Sequence, residues 1–110
     1  LIDFYFSCTD IRAYDLAVTH AAWCFSEDGG DFHGPISRAL IGGYESAFPI
    51  SDAERRALPL LARGAALRFL LTRAFDWINT PADALVTRKD PQAFLRRLQY
   101  YQTHPEIFEI

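Results

Sequence analysis

The sequence predicts a mainly α-helical domain that begins with one short β-strand. Apolar residues recur at steps of three and four along most of the chain, and a capping motif precedes the longest apolar segment. Only residues 1–6 show the crowding of aromatic and β-branched side chains that is typical of a strand. The chain has 110 residues, of which 50% are hydrophobic and 23% are charged, so its composition is that of one globular domain.

The first half of the chain divides into a strand, two loops and a helix. After the strand of residues 1–6, residues 7–10 are expected to form a loop, and a helix is predicted over residues 12–25. Asp15 would lie near the N-terminus of this helix, where a carboxylate interacts favourably with the helix dipole. Residues 26–35 are rich in turn-forming residues and predict an exposed loop.

The second half of the chain predicts three further helices from their start and stop signals. Pro35 suits the first turn of a helix that carries apolar residues to about residue 48. Ser51 and Glu54 have capping-box spacing before a long helix, which reaches about residue 78 and which Pro59 should either kink or divide. Asp90 followed by proline predicts the cap of a last helix. The pair His104-Pro105 predicts its end.

Charge and hydrophobicity disfavour two classes of protein. The net charge of −3 argues against a nucleic-acid-binding domain, which usually carries a basic face. The longest apolar stretch contains Arg63, Arg68 and Arg73, which a membrane-spanning helix tolerates poorly. Because the chain opens with Leu1 inside an apolar run and has no signal peptide, we expect a fragment that lacks an N-terminal part.

Asp3 is the least expected residue of the predicted strand. A carboxylate between Ile2 and Phe4 is costly to bury unless it finds a cation, a metal ion or backbone donors. Two interpretations follow from this chemistry. Asp3 is either a metal ligand at the end of the strand or a capping carboxylate at the corner between strand and loop.

The opening segment resembles the metal-binding segment of the aminoglycoside phosphotransferase and choline kinase superfamily. The resemblance lies in the run Leu1-Ile2-Asp3-Phe4 and in Asp15, which follows Asp3 by twelve residues in an Asp-Leu-Ala context. Further along, residues 1–25, the block 57–77 and the Lys-Asp-Pro run at 89–91 resemble bacterial homoserine kinases. The resemblance therefore covers most of the chain.

This resemblance implies a fold and an activity. The chain would be the C-terminal helical, substrate-binding subdomain of a protein-kinase-like phosphotransferase, and the nucleotide-binding lobe and catalytic loop would lie upstream. The parent enzyme would transfer the γ-phosphate of ATP to the hydroxyl of L-homoserine in threonine biosynthesis, in the cytoplasm. Asp3 would hold Mg²⁺, and Asp15 would support the site structurally. No catalytic residue is expected within these 110 residues, so the chain alone would be inactive.

The same resemblance directs attention to side chains that could hold an amino acid. A carboxylate favours an arginine fork, and Arg68 and Arg73 are candidates because they lie in a very apolar helix. An ammonium favours carboxylates or an aromatic face, and Trp23 and Tyr14 could line such a pocket. Core packing for the aromatics, and pairing of the arginines with a structural carboxylate such as Asp76, are the alternatives.

Two other functions stay open at the level of sequence. A related kinase acting on choline, another amino alcohol or an aminoglycoside fits the spacing of Asp3 and Asp15 equally well. A helical interaction module without catalysis would also have this composition. The oligomeric state is not predicted by any feature of the sequence.

Overall fold

The computed structural model describes residues 4–81 and 89–109, and their side chains from residue 12 onward. The described chain forms helices α1 (Phe4–Trp23), α2 (Gly34–Ala47), α3 (Asp52–Asn79) and α4 (Gln92–Thr103), followed by a 3-10 helix (Pro105–Phe108). Within these ranges the only β-type pairing is an isolated bridge between Phe25 and Phe32. The prediction of a mainly helical fold is confirmed.

The strand predicted at the N-terminus is wrong for residues 4–6, because α1 already begins at Phe4. The loop predicted at residues 7–10 is likewise helical. A single strand leaves its backbone N–H and C=O groups unpaired, whereas a helix satisfies them internally, and no partner strand is present in the described chain. Asp15 consequently lies in the middle of α1 rather than near its N-terminus. Residues 1–3, including Asp3, are outside the described ranges.

The predicted helix boundaries further along are largely confirmed. The capping box is complete, since Ser51 Oγ accepts from the Glu54 backbone N–H and Glu54 Oε1 accepts from that of Ser51. Pro59 does not divide α3, which continues to Asn79. At the start of α4, Asp90 Oδ1 accepts a hydrogen bond from the backbone N–H of Gln92 at 2.9 Å.

Helix α3 lies at the centre of the fold and contacts α1, α4 and the 3-10 helix. Its buried face is formed by Leu58 and three alanines, and small residues also dominate the facing side of α1. Small side chains let the helices approach closely, so that the larger core residues fill the space beside this seam. These larger residues are Leu16, Phe25, Ile41, Phe94, Tyr101 and Phe108.

The opposite side of α3 exposes a continuous row of large apolar side chains. We call this row the apolar stripe; it comprises Leu60, Leu67, Leu71, Phe75 and Ile78, which are 44–80% exposed. The spacing of its members, at steps of three, four and seven, puts all five on one helix face. Among the helices of the described ranges, none is both long and apolar enough to cross a membrane.

Candidate functional site

A cleft of about 890 Å³ opens where the end of α1, the loop after it and the start of α4 meet. One side of α3 contributes Arg73 to its wall. The cleft contains three cations, Arg73, Lys89 and Arg97, and three carboxylates, those of Glu27, Asp28 and Asp90. A cleft that carries both signs of charge suits a small ligand that is itself both cationic and anionic.

Arg97 is a buried cation in the wall of this cleft, with only 4% of its surface exposed. Its Nε donates to the carbonyl of Ala21 at 2.7 Å, Nη1 to that of Ala93 at 2.8 Å and Nη2 to that of Ser26 at 3.1 Å. Burial, together with the nearby charge of Arg73, lowers the pKa of Arg97 below its ordinary value. The three carbonyls hold the guanidinium in a fixed orientation.

The guanidinium groups of Arg73 and Arg97 both contact the aromatic ring of Phe94. The guanidinium carbon of Arg73 is 4.5 Å from the ring centre of Phe94, and that of Arg97 is 4.4 Å from it. Arg73 Nη1 also donates to the carbonyl of Asp90 at 3.2 Å. Cation–π contact with Phe94 and a backbone carbonyl therefore position the Arg73 side chain.

The acidic side of the cleft is carried by a tight loop between α1 and α2. Asp28 Oδ1 accepts hydrogen bonds from Ser26 Oγ at 2.7 Å and from the Gly30 N–H at 2.8 Å. These bonds, led by that from Gly30, lower the pKa of Asp28 below its usual range. Arg96 Nη1 donates to the carbonyl of Asp28 at 2.9 Å and ties the loop to α4.

Gly29 makes this loop possible. Its φ angle is +77°, and a Cβ atom built on it would lie 2.1 Å from the carbonyl oxygen of Ala93. The loop backbone thus approaches the first turn of α4 more closely than any residue with a side chain permits. This close approach brings Asp28 and Arg97 to the same cleft.

The structure separates the four predicted substrate-binding residues into two pairs. Arg73 and Trp23 both line the cleft, and Trp23 is 70% exposed there. Arg68 and Tyr14 lie elsewhere, joined by a long hydrogen bond of 3.4 Å from Arg68 Nη1 to Tyr14 Oη. Asp15 is exposed on α1. The predicted metal ligand Asp3 lies outside the described residues.

Arg97 and Asp28 are residues of the cleft that the sequence did not predict. Arg97 follows Phe94 by three residues and precedes Tyr101 by four, so it falls on the buried face of α4. A charged residue at such a position is a signal that helical periodicity can detect. The role of Asp28 depends on contact with α4, which is distant in sequence.

A second polar cluster lies in the core, away from the cleft. His20 Nδ1 is 2.7 Å from Tyr101 Oη, and His20 Nε2 is 2.8 Å from Ser37 Oγ. All three side chains are buried. Within residues 12–81 and 89–109, no group of three His, Cys, Asp or Glu side chains could hold a metal ion.

The curated proteins similar in sequence that are described below all carry the same name, homoserine kinase. The chain is 63% identical over 107 residues to a homoserine kinase of Gluconobacter oxydans, a match that covers 97% of this chain and 34% of that protein. It is 62% identical over 102 residues to that of Gluconacetobacter diazotrophicus, covering 93% of this chain and 32% of that protein. It is 51% identical over 109 residues to that of Agrobacterium fabrum, covering 99% of this chain and 34% of that protein.

No family model matches the chain. The chain spans about a third of the length of the curated relatives it matches. The resemblance predicted from residues 1–25, 57–77 and 89–91 is nevertheless confirmed by these identities. Nearly the whole of this chain is therefore homologous to about one third of the length of each of these homoserine kinases.

Proposed function

We propose that this chain is the helical, acceptor-binding part of a homoserine kinase, an enzyme that transfers the γ-phosphate of ATP to the hydroxyl of L-homoserine. The observation that carries the proposal is the 51–63% identity to proteins of that name over at least 93% of this chain. The rest of such an enzyme supplies the ATP-binding lobe and the base that accepts the hydroxyl proton. Phosphoryl transfer depends mainly on positioning and charge, so holding the acceptor is this chain's contribution.

The cleft has the chemistry that homoserine requires. Homoserine carries a carboxylate and an ammonium next to each other, and its hydroxyl lies two carbons further on. Arg73 is available for the carboxylate, while the exposed face of Trp23 and the carboxylate of Asp28 are available for the ammonium. With the carboxylate and the ammonium bound, the hydroxyl at the other end of the molecule is left free for phosphoryl transfer.

Magnesium remains a prediction from the resemblance, with Asp3 as its ligand. Among the described residues, no group of three His, Cys, Asp or Glu side chains could hold this ion. Asp15 is proposed as a structural support of the site. The fold of the parent is proposed to be protein-kinase-like and its location the cytoplasm, where ATP and amino acids are available.

The apolar stripe of α3 supports the proposal that a further part of the same polypeptide packs on this chain. An exposed apolar row of this length on a soluble monomer usually marks an interface. The stripe lies on the side of α3 opposite the core, and Arg73 of the cleft belongs to the same helix. Packing there would remove these side chains from water.

The acceptor is tested by offering the full-length protein three alcohols with ATP. L-homoserine, choline and an aminoglycoside are supplied separately, and ADP release and the phosphorylated product are measured. We expect O-phospho-L-homoserine as the main product. Preferred phosphorylation of choline or the aminoglycoside would replace this function with that of a sister kinase.

The same assay tests the role of Asp3. Asp3→Asn keeps the size of the side chain but removes the charge that a divalent ion requires, so we expect loss of Mg²⁺-dependent turnover with an unchanged melting temperature. Asp10→Asn, seven residues further along, serves as the matched control. Near-normal activity of Asp3→Asn would refute the metal role.

A further inference from the structure

We propose that Arg73 and Arg97, both seated on Phe94, form a subsite for the carboxylate of the acceptor, so that the enzyme selects alcohols that carry a carboxylate. This inference rests on the proposed function and assigns its substrate class to particular residues. Arg97 has no role in the sequence-based predictions. Its position beside Arg73 is known only from the fold.

Two like charges lie against one aromatic ring at this point. Each guanidinium carbon lies within 4.5 Å of the centre of the Phe94 ring. Arg73 and Arg97 repel each other, and the burial of Arg97 strengthens this repulsion because less water screens it. Such an arrangement gains stability when an anion enters.

The described residues supply hydrogen-bond acceptors for these cations but no directly paired anion. The four hydrogen bonds that position them all end on backbone carbonyls, those of Ala21, Ser26, Asp90 and Ala93. No carboxylate of the described residues lies within 4.0 Å of either guanidinium; the ion pair recorded in these ranges joins Arg55 and Glu45. Carbonyl dipoles orient the guanidinium groups and leave their charge available to a ligand.

The cleft leaves room for the ligand beside this pair. Its volume of about 890 Å³ exceeds what a small amino acid needs, and Arg73 is only partly buried. A carboxylate is a planar group that matches the fork of a guanidinium, and Arg73 can bind it directly. The fixed charge of Arg97 then adds to the attraction from the wall of the cleft.

The consequence is selection among alcohols. Choline and aminoglycosides carry cationic nitrogen but no carboxylate, so they gain nothing from Arg73 and Arg97. The matched pair for an experiment is L-homoserine and 3-aminopropan-1-ol, which has the same amine and hydroxyl but lacks the carboxylate. Their ratio of kcat/KM measures what the carboxylate contributes.

The test uses the full-length protein with Arg73→Gln and, as matched control, Arg63→Gln, which changes an exposed arginine of the same helix. Loss of a charged hydrogen bond to the ligand predicts a fall in kcat/KM for L-homoserine of roughly 10- to 100-fold in Arg73→Gln. The value for 3-aminopropan-1-ol should change less than about threefold, and Arg63→Gln should change neither. Arg73→Lys should restore part of the loss.

Arg97→Lys provides the second variant, with its melting temperature measured alongside. It keeps the positive charge but loses the fixed orientation of the guanidinium. The KM for L-homoserine should therefore rise, while the KM for 3-aminopropan-1-ol should stay unchanged. If Arg97→Lys fails to fold, Arg73→Gln alone decides. Equal falls for both acceptors in Arg73→Gln, or none, would overturn the subsite while leaving the kinase activity standing. A wild-type protein that does not phosphorylate L-homoserine would overturn the proposed function and the subsite together.

Discussion

His20 is a fully buried titratable side chain of the described core, and its surroundings fix its charge. Tyr101 Oη and Ser37 Oγ each lie within 2.8 Å of one ring nitrogen. In the neutral ring one nitrogen donates and the other accepts, so one hydroxyl accepts and the other donates. Burial lowers the pKa of His20 to about 4. The ring therefore stays neutral in the folded protein at physiological pH.

This shift predicts how the stability of the protein depends on pH. The pKa of His20 is lower in the folded protein than its value of 6.5 in the unfolded chain, so the unfolded chain binds a proton first. The contribution of His20 to stability is complete above pH 6.5 and is lost as the pH falls toward 4. Between pH 7.5 and pH 5 the loss amounts to about 2 kcal/mol.

The measurement is the free energy of unfolding in urea at several pH values for the wild type and for His20→Gln. The variant is expected to be less stable at every pH, because it disturbs the contacts with Ser37 and Tyr101. Between pH 7.5 and pH 5, however, its free energy of unfolding should fall by about 2 kcal/mol less than that of the wild type. Parallel curves for His20→Gln and wild type would refute the buried neutral state.

Cys24 is a second buried group in this part of the core. Burial raises the pKa of its thiol to about 11, so the thiolate needed for metal binding or nucleophilic attack is not formed near neutral pH. Although His20 and Cys24 are one helical turn apart, no third ligand joins them among the described residues. Both side chains serve the packing of the core.

At the scale of elements, the loop between α1 and α2 is the part of the cleft most sensitive to a single atom. Gly29→Ala would place a Cβ atom 2.1 Å from the Ala93 carbonyl oxygen, at a φ angle of +77° that side chains disfavour. We expect a loss of about 1–3 kcal/mol in the free energy of unfolding. We also expect weaker homoserine binding, since Asp28 shifts with the loop.

Gly30→Ala is the matched control, and urea unfolding with a homoserine titration is the measurement. A Cβ atom on Gly30 would meet only the Asp28 side chain, at 3.2 Å, and the φ angle of Gly30 is not positive. Its cost should be clearly smaller. Equal stability of Gly29→Ala and wild type would mean that the loop does not need this close approach to α4.

Element boundaries that depend on local chemistry could be predicted from the sequence. The capping box at Ser51 and the stop at His104 require only neighbouring residues, and each is found where expected. The cap of α4 falls one residue later than predicted, at Pro91, while Asp90 accepts from the backbone N–H of Gln92. The start of α1 could not be predicted in this way. A run of apolar aromatics fits a strand or a helix equally well until its partners are known, and the described chain provides no strand to pair with.

In the candidate site, too, some residues could be predicted from the sequence, while others depend on tertiary packing. Arg73 and Trp23 could be found because a charged and an aromatic residue on apolar helices are conspicuous in a sequence. Whether Arg73 or Arg68 faces the cleft depends on how α3 is turned against α4, which only the packing decides. Arg97 and Asp28 are brought together by an approach of backbones at Gly29, across more than sixty residues of sequence.

At the scale of the whole molecule, the proposed function requires that another part of the protein packs on the apolar stripe of α3. Leu71→Lys with Phe75→Lys places two charges in the middle of the stripe, where the proposed function puts the rest of the enzyme. In the full-length protein we expect the free energy of unfolding to fall by about 3 kcal/mol or more, since two large side chains lose their burial. In the 110-residue chain alone, the same pair should reduce self-association.

Thr72→Lys is the matched control, because Thr72 is exposed on α3 but lies outside the stripe. Melting temperatures of the full-length variants and sedimentation of the 110-residue variants give the two readouts. If the full-length variant with both lysines has the same melting temperature as the wild type, the stripe is not an interface within the enzyme.

The central claim is that the acceptor binds in the cleft beside Trp23. Its most direct test is ¹⁹F NMR of the full-length protein labelled with 5-fluorotryptophan, with resonances assigned through Trp23→Phe and Trp77→Phe. Titration with L-homoserine should shift the Trp23 resonance to saturation at concentrations near the KM, while Trp77, which does not line the cleft, should keep its position. A Trp23 resonance that stays unmoved at saturating homoserine would contradict the account.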